Sequence, residues 1–166
     1  MEMDTTWIVL ADEGRARILS RETDGGDLRE LEVLDDPAAR AHNADFRHDA
    51  YGRRAPAGAA QPSSATSSAG EEKLDHEAEL FARRLALRLA EAHREHRFAH
   101  LRIAAAPRFL GRLRKALARE VSDVVDEEID RDLLQLDTRA LTQRFYGASA
   151  AGAARNVCYS IGLLGV

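Results

Sequence analysis

The chain has 166 residues, enough for one domain with a real core, and 45% apolar with 31% charged residues is ordinary for a soluble globular protein. A formal net charge of -4 argues against a protein that coats nucleic acid non-specifically, yet it leaves room for a local basic patch. The lone cysteine, Cys158, excludes an internal disulfide framework, and no stretch approaches the roughly 20 apolar residues of a membrane span. The start, MEMDTTWIVLADEG, carries acids where a signal peptide carries bases, so a cytoplasmic protein with no membrane partner is expected.

Trp7 to Ala11 is a compact apolar run that predicts a strand. Asp12-Glu13-Gly14 supplies turn chemistry, and Ala16 to Ser20 returns as a second strand. Asp24-Gly25-Gly26-Asp27 is another turn, before a third strand carrying Leu28, Leu31, Val33 and Leu34; Asp35-Asp36-Pro37 ends this antiparallel meander. Arg40 to Gly70 is rich in Ala, Gly, Ser, Pro and Arg, and Gln61 to Gly70 is of low complexity, so a mobile loop is expected there.

Glu71 to Arg97 is the clearest helix, with Leu74, Ala78, Phe81, Leu85, Leu89 and Ala92 stepping at three and four residues. Acids crowd its start and bases its end, which complements the macrodipole. Leu101 to Ala106 reads as a buried strand that breaks at Pro107, a residue suited to the first turn of a helix. On that helix Phe109, Leu110, Leu113 and Leu117 share a face, which leaves Arg108, Arg112, Arg114, Lys115 and Arg119 to water. Val121 to Leu136 is read as a last strand around Val124, Val125 and Ile129, followed by an acidic turn; Thr138 to Tyr146 is a short helix. The expected fold class is α/β, a mixed β-sheet with an N-terminal antiparallel meander and packed helices. Residues 1–146 form the single domain, and Gly147 to Val166 is a tail whose packing the pattern leaves open.

TWIVLADEGRARIL, the step Asp36, Pro37, Arg40, the element Asp49, Gly52, Arg53, the helix LFARRLALRL and the segment APRFLGRLRKAL together resemble the bacterial host attachment protein family. That family is grouped with relatives of the eukaryotic-type peptide-chain release factor and Pelota. The resemblance runs from Trp7 to Phe145, and APRFLGRLRK is its most specific part. It implies the middle-domain fold of those factors, with ribosomal-protein-like and RNase H-like layering. In the release factor, the loop between the third strand and the long helix carries a Gly-Gly-Gln motif. The matching loop here has Gln61 after Ala59-Ala60, with Gly58 further back, so peptidyl-tRNA hydrolysis is not carried over.

Two basic sets are the candidate RNA- or anion-binding residues. Arg40, Arg47, Arg53 and Arg54 on the loop, with His42, His48 and Tyr51, have the composition of segments that fold onto RNA, although Asp45 and Asp49 dilute the charge. Arg108, Arg112, Arg114 and Lys115 offer a fixed basic surface near a helix start; the competing view is a solvated face paired with nearby acids. The expected function is a non-enzymatic domain that binds RNA or the ribosome, with no cofactor. The alternative is an attachment-related protein-interaction factor without nucleic-acid affinity. A third candidate is a metal-dependent nuclease using Asp12 with Asp126, Glu127, Glu128, Asp130 or Asp132, but Asp12-Glu13-Gly14 is also ordinary turn sequence. His93, His96 and His100 are spaced temptingly for zinc, yet the helix is expected to end between His96 and His100, which spoils a common face.

Overall fold

The computed structural model describes residues 5–22, 27–37 and 64–147. These form strands β1 (Thr6–Ala11), β2 (Arg15–Arg21) and β3 (Arg29–Asp35), helix α1 (Ser64–Arg94), β4 (His100–Ala105), helices α2 (Pro107–Ala116) and α3 (Arg119–Ser122), β5 (Val125–Ile129) and helix α4 (Thr138–Tyr146). The sheet order is β3-β2-β1-β4-β5. Strand β2 is antiparallel to both β1 and β3, whereas β4 is parallel to β1 and β5. The mixed sheet with its N-terminal meander is therefore as the hydrophobic pattern predicts.

Burial explains the pattern of each strand. β1 is the central strand, covered on both faces, so Trp7 to Ala11 are all buried and the sequence runs apolar instead of alternating. β3 is an edge strand whose Arg, Glu and Asp residues keep it largely exposed. It carries a bulge: Ile18 pairs with Glu32 and Leu19 with Glu30, which leaves Leu31 as the extra residue.

Two cores follow from the period of two. On one face Trp7, Val9, Ile18, Leu101 and Ile103 meet α1 and α2 through Phe81, Leu85, Leu89, Phe109 and Leu113. On the other, Ile8, Leu10, Leu19, Ala104 and Ile129 meet Leu134 and helix α4 through Leu141 and Phe145. Each fully buried large side chain contributes about 1.5–3 kcal/mol relative to exposure. Phe81 and Phe109 lie 5.7 Å apart, tying α1 to α2. Trp7 packs on Phe98 at 4.9 Å, closing the base of this core.

Several boundaries differ from the sequence expectation: the last strand ends at Ile129 and not Leu136, and α2 ends at Ala116, short of Leu117 and Arg119. Helix α1 begins at Ser64, inside the stretch read as loop, because an established helix propagates through Ala and Ser at little cost even without an apolar stripe. It ends at Arg94, where His96 takes φ 55 and His96 N–H and Arg97 N–H donate to the His93 and Ala92 carbonyls, a Schellman arrangement. Val121 belongs to the short helix α3 and not to a strand, and its side chain is buried in the core that α1 and α2 form on the sheet.

The carboxyl ends of β1, β3 and β4 lie together. Ala106 N–H donates to the Ala11 carbonyl, and Asp36 N–H donates to the Gly14 carbonyl. Helix α1 returns to the start of β4, so its N-terminal turns run toward this same edge. The first buried residue described along α1 is Ala78, and at about 1.5 Å per residue the turns before it extend roughly 20 Å beyond.

Candidate functional site

Helix α2 opens at this edge. Pro107 stands in its first turn, and Phe109, Leu110 and Leu113 are buried against α1 and the sheet. This locks the helix so that Arg108, Arg112, Arg114 and Lys115 fall on its outer sides. The helix does not leave all of them to water, as the sequence pattern predicts. The Arg112 side chain is only 20% exposed, and its guanidinium donates to the Asp75 carboxylate at 2.5 Å. Arg108 lies 3.7 Å from the same carboxylate. Arg114 donates to Glu128 through Nε at 2.7 Å, and the hydrogen bond and charge of Glu128 raise the Arg114 pKa above its ordinary value. Lys115 has no ion-pair partner among the described residues; it lines a cleft of about 720 Å3 between α1 and α2 with Glu72, Asp75, Glu79 and Arg83. Acids from two other elements thus interleave with the basic face.

Arg40, Arg47, Arg53 and Arg54, with His42, His48 and Tyr51, lie outside the described residues, as do Cys158 and the tail. In the sequence those arginines lie between Pro37, which follows β3, and Ser64, which opens α1.

The carboxylate of Asp12 is committed to the β1–β2 turn, accepting hydrogen bonds from Gly14 N–H at 2.8 Å and Arg15 N–H at 2.7 Å. It is a hairpin residue. Three of the later acids meet cations: Asp126 meets His100 at 2.8 Å, Glu127 lies 3.7 Å from Arg102, and Glu128 holds Arg114, while Asp132 accepts from Leu134 N–H at 3.0 Å. Among the described residues no three His, Cys, Asp or Glu side chains gather as a metal set. His93 packs on Phe98 at 5.4 Å, His96 occupies the left-handed turn, and His100 starts β4.

The opposite face of the sheet holds polar residues that local pattern does not disclose. Arg17 donates to Glu30 at 2.7 Å and to the carbonyls of Leu134 and Leu136 at 2.7 and 2.9 Å, pinning the segment before α4 onto β2. Arg102 donates to the Phe145 carbonyl at 2.8 Å. The guanidinium carbons of Arg21 and Arg102 lie 3.7 and 4.7 Å from the centre of the Tyr146 ring. The one sequence signal was a cation, Arg102, inside the otherwise apolar run LRIAAA.

Residues 7–145 match the profile of a family described as "Protein required for attachment to host cells". The chain belongs to that family. No curated protein matches it. Among solved structures, the archaeal translation termination factor aRF1 is similar with a TM-score of 0.45 and 10% identity, over 91% of this chain and 42% of that one. A structure titled only as an archaeal protein is similar with a TM-score of 0.36 and 11% identity, over 91% and 42%. This host attachment family member therefore spans less than half the length of those solved chains. No helix among its described residues is long and apolar enough to cross a membrane.

Proposed function

We propose that this domain of the host attachment family binds RNA, in the first instance that of the ribosome, through the carboxyl edge of its sheet. The observation that carries the proposal is the set of four cations on helix α2, Arg108, Arg112, Arg114 and Lys115, which starts at this edge. Arg40, Arg47, Arg53 and Arg54 follow Pro37 in the sequence and would add to that charge. Guanidiniums and ammonium groups in this number suit a phosphate backbone better than a small neutral ligand. The acids at Asp75 and Glu128 do not close the surface. The Arg108–Asp75 contact joins two exposed side chains and is worth only about 0–1 kcal/mol, so a phosphate can exchange with it. No catalytic role is part of the proposal.

Co-sedimentation with ribosomes, together with RNA binding across a salt series, tests it. Affinity is expected to fall steeply with salt, and Arg108→Glu or Lys115→Glu is expected to weaken binding for all RNA sequences and to reduce the salt slope by about 1. Absence of binding at low salt overturns it. A second reading, docking of a protein partner in attachment, is favoured by Leu87 and Leu80 of α1, 72% and 42% exposed. Surface labelling of intact cells separates the two, since external exposure favours attachment.

A further inference from the structure

The face of the sheet opposite α2 carries a second, independent feature: a groove of about 1010 Å3 between the end of β2, the residues before β3, and helix α4. Its volume sits at the upper end of the ~300–1,000 Å3 usual for ligand clefts, room for a nucleotide with its sugar. Arg21 lines it, its guanidinium carbon 3.7 Å from the centre of the Tyr146 ring. Arg102 also stacks on that ring, its guanidinium carbon 4.7 Å from the centre, but it does not line the groove. Arg139, exposed on the first turn of α4, lines the groove and has no ion-pair partner among the described residues. Asp27 is the one acid among the described lining residues, and Gln143 and Thr138 add hydrogen-bonding groups.

We propose that this groove binds a ribonucleotide unit, with its phosphate on Arg21 and Arg139 and its sugar hydroxyls on the Asp27 carboxylate. Guanidinium is the side chain best matched to phosphate oxygens. A carboxylate facing the sugar accepts from a 2′-hydroxyl, which is how proteins tell ribose from deoxyribose. The Tyr146 hydroxyl is buried and has no hydrogen-bond partner among the described residues, so it is the ring that meets Arg21. The proposal stands apart from the RNA reading of the carboxyl edge, because it uses a different face of the sheet and different cations. The nucleotide unit can come from a free mononucleotide or from a single-stranded RNA, and the experiment distinguishes them.

Calorimetric titration of the full chain with AMP, dAMP, adenosine, inorganic phosphate and a four-nucleotide RNA tests it. AMP or the RNA is expected to bind, adenosine and inorganic phosphate about tenfold or more weakly, and dAMP several-fold more weakly than AMP. Equal affinities for AMP and the RNA identify the mononucleotide as ligand; an RNA preference of about tenfold identifies the strand. Arg139→Glu is expected to weaken binding about tenfold and Asp27→Asn to erase the ribose preference. Arg108→Glu, which disables the carboxyl edge, is expected to leave mononucleotide binding intact. Failure of AMP and the RNA alike to bind at millimolar concentration overturns the proposal, as does binding that Arg139→Glu does not change or inorganic phosphate binding as tightly as AMP.

Discussion

Individual side chains on this sheet divide between turn-making and cross-layer pinning, and each role has its own mutational signature. Asp12 satisfies two backbone donors of the β1–β2 turn with one carboxylate oxygen. Asp12→Ala is expected to lower stability by about 1–2 kcal/mol in urea unfolding, while Asp12→Asn keeps an acceptor in place and recovers most of it. Arg17 is a different case. Its side chain is 14% exposed and fixes two carbonyls of the segment ahead of α4, while Glu30 can return to water. Arg17→Met is therefore expected to cost about 2–3 kcal/mol, the range for hydrogen bonds to a charged group, and Arg17→Lys to rescue only in part because an ammonium lacks the planar fork. Denaturant midpoints at constant slope measure both.

At the scale of elements, most of the architecture was legible because apolar spacing and burial agree. β1, β2, β4 and α4 fall where the residues predict them, and the stripe from Ala78 to Ala92 is the face of α1 that is buried. The misread ends have physical causes: serine and alanine do not announce a helix N-terminus, and the left-handed turn at His96 lacks the glycine that usually marks it. His96→Gly is accordingly expected to stabilise the chain by about 1 kcal/mol in thermal unfolding. Gly111, in the most distinctive segment of the sequence, gives a second test. A Cβ there meets nothing within 4 Å, so helix packing does not demand glycine. Gly111→Ala is expected to raise stability by about 0.5–1 kcal/mol. If RNA binding falls in the same variant, the glycine is there for close approach of a ligand to α2.

At the scale of the whole molecule, the arrangement of charge was the least legible property, because it depends on which distant elements meet. The run from Arg108 to Lys115 reads as uniformly basic, and only the fold reveals that Asp75, from a helix that begins more than forty residues earlier, reaches between two of its arginines. The groove at Tyr146 was invisible for the same reason, since Arg21 and Tyr146 are brought together by the pairing of sheet and terminal helix. The Asp75 contact sets up a prediction that runs against intuition about ion pairs. Asp75→Asn removes the carboxylate shared by Arg108 and Arg112 at a site half open to water, so the expected loss of stability is within about 1 kcal/mol. It releases two cations toward the carboxyl edge. If phosphates bind there, RNA affinity is expected to rise at low salt, and the slope of log affinity against log salt to steepen by about 1–2, as each newly engaged phosphate displaces its counterions. An Asp75→Asn variant that folds normally and binds RNA no better than the parent would mean that the α2 cations serve to hold α1 and α2 together, and that the basic surface must be sought elsewhere.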